Sequence, residues 1–222
     1  LCASRGLGDV YKRQGIDITM FMSDMSLNEN LSSTPQDRRE LMDLVERMQG
    51  AFTTIAKSKI PTIALAHGFC IGGATSLVSA CDIRLATKDA KFSIGETKLG
   101  LVADVGVIQR MPKIVSSGDM NELALTGRIF DGEHAEKIRF VSKAYENSDD
   151  LFEAGEKLAN EISSNSKRIV QATKEALEKS SNLTVDQGLE YAKLWSTSFL
   201  VSEDLREGVM AFLEKRDPKF NE

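Results

Sequence analysis

The feature that most constrains the fold is a run of short apolar segments, separated by glycines, between residues 61 and 94. Gly68 and the pair Gly72-Gly73 interrupt the hydrophobic pattern, and each apolar segment is short enough to be a buried strand. The pattern predicts strands at 62–66, 83–86 and 91–94 and a helix at 74–81. Strands that alternate with helices predict right-handed crossovers and a largely parallel sheet.

The sequence on either side of this region is more helical. Between Asp37 and Lys57 apolar residues recur at steps of three and four, which predicts an amphipathic helix. After Asp149 several amphipathic helical patterns follow one another. Such helices typically pack on a core or form an oligomer interface. We therefore divide the chain into an N-terminal tract (1–14), an α/β core (15–149) and a C-terminal helical region (150–222).

Composition excludes several classes of protein. The net charge is -5 over 222 residues, and no basic stripe suited to nucleic acid stands out. No apolar run approaches the roughly 18 to 20 residues of a membrane span. The three cysteines (Cys2, Cys70 and Cys81) form no CxxC pair, and with two histidines they give no metal site. A reduced intracellular compartment fits this cysteine usage, either the bacterial cytoplasm or an organelle reached by a targeting segment.

Residues 1–14 (LCASRGLGDVYKRQ) match no structural pattern. The chain opens with Leu1 and shows neither a helical stripe nor strand alternation, and it lacks the apolar core of a signal peptide. The tract resembles a translated sequencing-adapter peptide, which would make it non-native. The alternative is an ordinary mobile N-terminus, and we assign the tract no function on either interpretation.

The Gly72-Gly73 pair is the first candidate for chemistry. It stands at the predicted start of a helix, where N–H groups lack intrahelical partners and the helix dipole adds positive charge. Glycine allows a substrate atom to approach the backbone closely. These N–H groups are suited to stabilise an enolate oxygen, although such a pair alone also fits a tight turn.

Two acids follow the glycines. Glu96 comes directly after a predicted strand, and Asp104 lies in an apolar loop bounded by Gly100 and Gly106. Apolar surroundings disfavour the charged form of a carboxyl, which suits proton transfer. The alternatives are a solvated strand end for Glu96 and a helix N-cap for Asp104. Ser76 lies in no GxSxG elbow and the later glycines form no GxGxxG series, which argues against a serine hydrolase and a dinucleotide-binding site.

Several blocks together resemble the enoyl-CoA hydratase/isomerase (crotonase) family over more than nine-tenths of the chain. The turn Gly15–Ile18 and the segment Leu101–Arg110 are most similar to its dienoyl-CoA isomerase branch. The remaining blocks are 61–73 (PTIALAHGFCIGG), 80–84 (ACDIR) and 211–220 (AFLEKRDPKF). The resemblance implies an α/β fold of the crotonase type, a spiral of ββα units with a C-terminal helical trimerisation region.

The resemblance also implies an acyl-CoA thioester substrate and assigns roles to residues. The backbone N–H groups of Ile16 and Gly73 form the oxyanion hole, and Glu96 and Asp104 are the catalytic acids. The substrate-binding positions are Gly72, Ser76 and Lys215, with Lys215 at the CoA moiety. Trimers, often paired into hexamers, are implied as well. No metal or separate cofactor is expected, because CoA is part of the substrate.

The chain departs from the family at two places. Ser76 stands where hydratases carry glutamate and dienoyl-CoA isomerases carry aspartate, and the family has a longer segment before the turn at Gly15. Hydration uses two carboxylates around one water, whereas a double-bond shift can proceed with an acid such as Glu96. We therefore expect a 1,3-proton shift that moves a carbon–carbon double bond in an enoyl- or dienoyl-CoA. The alternatives are an enoyl-CoA hydratase and a non-catalytic acyl-CoA-binding member.

Overall fold

The computed structural model describes residues 2–3 and 34–220, and these form two compact units. The first unit holds the described residues up to Ser58 together with Thr62–Gly155. The second holds Lys59–Pro61 and the chain from Glu156 onward. The boundary therefore falls inside a helix that begins at Ser148, one residue before the end of the predicted core.

The strands are short and the helices occupy most of the C-terminal half. The strands are β1 (Cys2–Ala3), β2 (Ile63–Ala66), β3 (Phe69–Ile71), β4 (Ile83–Thr87), β5 (Lys91–Ser93), β6 (Phe130–Asp131) and β7 (Lys143–Tyr145). The helices are α1 (Pro35–Ala56), α2 (Gly73–Ala80), α3 (Val107–Arg110), α4 (Ser117–Thr126), α5 (Gly132–Lys137), α6 (Ser148–Ser163), α7 (Lys167–Ser180), α8 (Val185–Phe199) and α9 (Glu203–Glu214). Short 3-10 turns lie at Gly95–Leu99 and Met111–Lys113.

Two sheets organise the first unit. One has the strand order β1-β2-β4-β7 with parallel pairing throughout, and the other has the order β3-β5-β6. In the second sheet β3 and β5 are parallel, while β5 and β6 are antiparallel. Successive ββα units thus give their first strand to one sheet and their second strand to the other. This arrangement confirms the predicted spiral of ββα units.

The core of the first unit follows from burial of these strands. All four residues of β2 are buried, so the strand reads as a continuous apolar run. Gly68, with a φ of 68°, then provides the left-handed turn that sends the chain from β2 into β3. Phe92 stacks on Phe130 with ring centroids 5.5 Å apart and meets the edge of Phe140 at the same distance. These rings join both strands of the antiparallel pair to the segment before β7.

Helix α1 agrees with the prediction for 37–57 in type and extent. The Thr34 hydroxyl caps it by accepting a hydrogen bond from the Asp37 amide, and the Asp37 carboxylate accepts one from the Thr34 amide. Pro35 occupies the first helical position. No residue of α1 is fully buried, although Leu44 and Val45 are half-buried. The pattern therefore predicted the helix correctly, but the apolar face of the helix is only partly buried.

The second unit is built from the predicted C-terminal helices. Tyr191 of α8 donates a hydrogen bond of 2.8 Å to Glu175 of α7, and Trp195 stacks on Phe199 at 5.4 Å. Ser166, which caps α7, also donates a 2.6 Å bond to the buried carboxylate of Asp204. Several large apolar side chains of α8 and α9 nevertheless stay exposed. They include Val185, Leu189, Leu194, Val209, Phe212 and Leu213.

Two further observations concern the residues that the structure describes. No helix among them is long and apolar enough to cross a membrane. No group of three or more His, Cys, Asp or Glu side chains in residues 34–220 is placed to hold a metal ion. Cys70 and Cys81 are both buried.

Candidate active site

The parallel pairing of β3 and β5 brings the glycine pair and Glu96 to one edge of the sheet. Ile71, the last residue of β3, pairs in register with Ser93, the last residue of β5. Helix α2 begins at Gly73 and the 3-10 turn with Glu96 begins at Gly95, so both follow the carboxyl ends of neighbouring strands. Ligand sites of open α/β sheets lie at such ends.

The turn into α2 leaves the Gly73 N–H without an acceptor among the described residues. Gly72 adopts φ 57° and ψ -118°, a conformation suited to glycine, and its N–H donates to the Ser93 carbonyl at 2.9 Å. The Gly73 N–H, by contrast, donates to no acceptor among residues 34–220. Gly73 itself is buried. A donor at a helix start with no internal partner is available to an oxyanion.

Thr75 holds this turn together. Its side chain is fully buried, and its hydroxyl oxygen lies 2.6 Å from the Cys70 carbonyl and 3.0 Å from the Ser93 carbonyl. These two carbonyls belong to the ends of β3 and β5. The hydroxyl therefore ties the first turn of α2 to both strands that deliver the site.

Glu96 has the environment expected of a proton-transferring acid. One of its carboxylate oxygens, Oε2, is buried and has no hydrogen-bond partner among the described residues. Burial raises the pKa of Glu96, the negative charge of Asp104 adds to the increase, and a bond from its own amide partly opposes it. A carboxyl with a raised pKa exchanges a proton more readily near neutral pH. The alternative of a fully solvated strand end is therefore wrong.

The turn that carries Glu96 is hydrogen-bonded to the C-terminal end of α4. Thr97 donates a 2.7 Å bond to the Ala124 carbonyl, and Ser93 donates a 3.0 Å bond to the Gly127 carbonyl. Gly100, with φ 74°, ends the 3-10 turn in the left-handed conformation and redirects the chain towards Asp104. Both sides of Glu96 are thus held by the segment 124–127.

Asp104 lies in the loop between this turn and α3. The residue is exposed, whereas its neighbours Ala103 and Val105 are buried, so the loop alternates across its length. The interpretation of Asp104 as a helix N-cap is wrong, because the N-cap of α3 is Gly106 and it receives no side-chain bond. The field of Asp104 reaches Glu96, which brings the two predicted acids together electrostatically.

The other predicted site residues do not all belong to this group. Ser76 is one turn further along α2, fully buried, and its hydroxyl oxygen has no hydrogen-bond partner among residues 34–220. Lys215 belongs to the second unit, where it ends α9 with φ 54° and is exposed. Ile16, the second predicted oxyanion donor, lies outside the described residues.

Three residues of this site were missed from the sequence. Thr75 was treated only as part of a helix, although a hydroxyl three residues after a glycine turn is a plausible staple. Gln49 donates a 2.7 Å bond to the Asp104 carbonyl, and Arg110 contacts Val105 and Thr53. No local signal marks Gln49 or Arg110, because Gln49 and Asp104 are 55 residues apart and Arg110 and Thr53 are 57 apart.

Comparisons with known proteins agree with this geometry. The family described as enoyl-CoA hydratase/isomerase matches residues 19–222. The mitochondrial Delta(3,5)-Delta(2,4)-dienoyl-CoA isomerase of Dictyostelium discoideum is 46% identical over 188 residues, which cover 85% of this chain and 64% of that protein. The peroxisomal Delta(3,5)-Delta(2,4)-dienoyl-CoA isomerase of Arabidopsis thaliana is 38% identical over 93% of this chain and 74% of its own length.

Solved structures show the same fold. An enoyl-CoA hydratase/isomerase family protein from Hyphomonas neptunium superposes with a TM-score of 0.79 at 32% identity, over 92% of this chain and 74% of that one. An enoyl-CoA hydratase from Bacillus anthracis gives a TM-score of 0.77 at 27% identity, over 87% and 74%. The chain spans about two thirds of the length of the curated relatives named above. With the family matched over nearly its whole length and the crotonase fold shared, the chain belongs to the enoyl-CoA hydratase/isomerase family.

Proposed function

We propose that this chain catalyses a double-bond shift in an enoyl- or dienoyl-CoA by proton transfer through Glu96. The observation that carries the proposal is the half-buried Glu96 carboxyl, with a raised pKa, at the same sheet edge as the unpaired Gly73 N–H. Relatives at 38% and 46% identity are named dienoyl-CoA isomerases, which supports the same reaction class.

The chemistry needs only a proton acceptor and a site for negative charge. The Glu96 carboxylate removes a proton from C2 of the acyl chain, and the electron pair moves into the thioester carbonyl to give an enolate. The Gly73 N–H, together with the Ile16 N–H assigned by resemblance, stabilises the oxyanion, each such donor being worth about 3 kcal/mol. As the carbonyl re-forms, protonated Glu96 returns its proton at C4 of a 3-enoyl chain, which is a 1,3-shift. For a 3,5-dienoyl chain the proton returns at C6, so the expected 1,3-shift becomes a 1,5-shift for that substrate.

Asp104 serves this reaction as the second acid or as a charge that tunes Glu96. A proton that returns several carbons from where it left suits two carboxyl groups at different places along the acyl chain. The substrate and product have the same oxidation state and composition, so the proposal includes no redox cofactor and no metal. CoA enters and leaves as part of the thioester, and Gly72, Ser76 and Lys215 remain the proposed substrate-binding positions.

Hydration is the second candidate, and Ser76 is the observation that favours it. Its buried hydroxyl has no partner among the described residues, so it is free to hold a water molecule beside the site. Addition of water uses two carboxylates around that water, and this position supplies a hydroxyl in place of the second one. We therefore rank hydration below isomerisation.

The decisive experiment compares Glu96→Gln with the unaltered protein on a 3,5-dienoyl-CoA. Formation of the conjugated 2,4-product is followed by its ultraviolet absorbance. We expect turnover to fall by about 10²- to 10⁴-fold, the usual contribution of a positioned base. Glu153→Gln is the control, because Glu153 is an exposed residue of α6.

The outcomes separate the candidates. Equal turnover by Glu96→Gln and Glu153→Gln would refute the role of Glu96. If the unaltered protein leaves the dienoyl-CoA unchanged and hydrates crotonyl-CoA, hydration replaces isomerisation. Binding of the thioester without either reaction would identify a non-catalytic member of the family.

The pH dependence gives a second test of the same assignment. The reaction needs ionised Glu96, and burial raises the pKa of that carboxyl above its ordinary value. Activity should therefore be full above the raised pKa and fall as the pH drops through it. An acidic limb at or below the ordinary glutamate pKa would show that a different group is the base.

We also propose that the protein is a homotrimer or a pair of trimers. Support comes from the apolar side chains that α8 and α9 leave exposed, among them Val185 and Phe212 at 79% and 82%. Light scattering after gel filtration should give three or six times the chain mass. Phe212→Glu should lower that mass, and an unchanged mass would place the interface elsewhere.

The compartment stays a prediction. The Dictyostelium and mouse relatives are named mitochondrial, and the Arabidopsis relative peroxisomal. We propose the bacterial cytoplasm for this chain, with an organelle as the alternative if a targeting segment precedes it. Fractionation of the source cells with an antibody against the chain decides between them.

A further inference from the structure

The loop that carries Asp104 is tied to α1 by two long side chains that no step of the reaction uses. We propose that Gln49 and Arg110 are positioning residues, which fix this loop against α1 and so set the charge that Glu96 experiences. The inference deepens the proposed function and rests on it for its catalytic meaning. Its structural part can be tested without turnover.

Gln49 acts on the peptide of Asp104 itself. Its side-chain amide donates a 2.7 Å hydrogen bond to the Asp104 carbonyl, joining residues 55 apart in sequence. A bond to the carbonyl leaves the Asp104 carboxylate free while it fixes the backbone from which that carboxylate projects. The contact therefore controls the place of the acid without neutralising its charge.

Arg110 holds the next two residues of the loop. Its Nη1 donates to the Val105 carbonyl at 3.3 Å, and its Nη2 donates to the Thr53 hydroxyl on α1 at 3.1 Å. The guanidinium lies over Gly106, where a Cβ atom would come within 1.8 Å of Nη1. Gly106 also has φ 116°, so both its backbone conformation and the space that it leaves favour glycine.

The charge of Arg110 is not used in an ion pair within the described chain. Its guanidinium has no carboxylate within salt-bridge distance among residues 34–220. A planar fork that bridges a backbone carbonyl and a hydroxyl is a geometric clamp, which lysine reproduces poorly. Together with Gln49, it fixes successive carbonyls of the loop to one helix.

The link to Glu96 is electrostatic. Asp104 is the charged group whose field reaches Glu96 among the described residues, and it adds to the effect of burial on the pKa of Glu96. A loop that drifts from its position carries this charge away and admits water, and both changes lower the pKa of Glu96 towards its ordinary value. A role confined to stability would leave the Glu96 titration unchanged.

The test uses Gln49→Met, with Gln36→Met as its matched control. Gln36 lies on the same helix, and among the described residues its side chain donates only to Glu40, one turn away, at 2.9 Å. Glutamate labelled with ¹³C at the carboxyl reports the titration of Glu96 in each protein, assigned by the signal that Glu96→Gln removes. We expect the pKa of Glu96 to fall in Gln49→Met and to stay unchanged in Gln36→Met.

Turnover provides the second readout. Because a misplacement of about 1 Å can cost as much as 10²-fold, we expect kcat to fall by about 10-fold in Gln49→Met with KM little changed. Arg110→Met should behave in the same way, and Arg110→Lys should recover only part of kcat. In an Asp104→Asn background, Gln49→Met should shift the Glu96 titration less than it does alone.

Two results would overturn the inference. One is an identical Glu96 titration in Gln49→Met, Gln36→Met and the unaltered protein. The other is a titration shift of Gln49→Met that is undiminished by Asp104→Asn, since the Asp104 charge would then have no part in it. A protein without isomerase activity would refute the proposed function alone, because the titrations are measured without substrate.

Discussion

Thr75→Val tests whether the staple between the two strand ends matters for stability and for the site. Thr75 is fully buried, and its hydroxyl reaches the carbonyls of Cys70 and Ser93 at 2.6 and 3.0 Å. Valine keeps the branched shape and has a similar helix propensity, so the substitution removes the hydroxyl without opening a large cavity.

The expected cost follows from what each carbonyl keeps. The Ser93 carbonyl still accepts the Gly72 N–H at 2.9 Å, so it does not become an unpaired buried acceptor. The loss is then close to the net value of one buried hydrogen bond, about 1 kcal/mol in the free energy of unfolding. Thr54→Val is the control, because Thr54 is exposed and its hydroxyl donates to the Gly50 carbonyl within its own helix at 2.9 Å.

Thr75→Val should also lower turnover. The hydroxyl fixes the strand ends that deliver Gly73 and Glu96, so its loss loosens the oxyanion donor relative to the base. If about half of the roughly 3 kcal/mol from one such donor is lost, turnover falls about 10-fold. Urea unfolding followed by circular dichroism and the dienoyl-CoA assay measure the two effects. If Thr75→Val has the same unfolding midpoint and turnover as Thr54→Val, the proposed staple is refuted.

Four other substitutions have signs that follow from the structure. Gly155→Ala should lower the free energy of unfolding by about 1 to 2 kcal/mol, because its Cβ would meet the buried Leu65 side chain at 2.6 Å. Gly50→Ala, with nothing within 4 Å, should raise it by up to about 1 kcal/mol, and thermal unfolding of the pair shows whether the signs differ. Ser76→Ala should raise the free energy of unfolding by about 1 kcal/mol, since it removes a buried hydroxyl that has no partner among the described residues. A lower free energy of unfolding in urea would indicate that the hydroxyl binds a water molecule. A raised folded-state pKa means that Glu96 stabilises the fold most at low pH and loses this contribution as the pH rises above 4.5, so Glu96→Gln should flatten the dependence of unfolding free energy on pH. A slope equal to that of the unaltered protein would contradict this.

The elements around the site were predictable because their signals are local. A buried apolar run, a glycine break and an eight-residue helical pattern predicted β2, the turn after it and α2 to within one or two residues. The three-residue strand β3 was not predicted. The sequence pattern also placed Glu96 just beyond a strand, where the structure has it. What the pattern did not predict is that the strands divide between two sheets, since both sheets use the same short apolar segments.

The supports of the site could not be predicted, because each joins residues distant in sequence. Gln49 and Asp104 are 55 positions apart, and Arg110 and Thr53 are 57 apart. Neither side chain belongs to a motif, and on α1 a glutamine reads as an ordinary polar residue of an exposed face. The acids were recognised by their surroundings in the sequence, whereas the residues that position one of them depend on the tertiary fold.

The environments of the two acids explain how they can divide the reaction between them. Glu96 is half-buried, with one oxygen unpaired and its pKa raised, while Asp104 is exposed at the tip of a fastened loop. Two carboxyls in unlike surroundings take unlike roles, because the environment decides which of them exchanges a proton at a given pH. On the proposed mechanism Glu96 removes the proton, and the negative charge of Asp104 helps to raise the pKa of Glu96, which makes it a stronger base. Hydration would need a second carboxylate beside the water, and Ser76 supplies only a hydroxyl there, so the proposed function ranks the double-bond shift first.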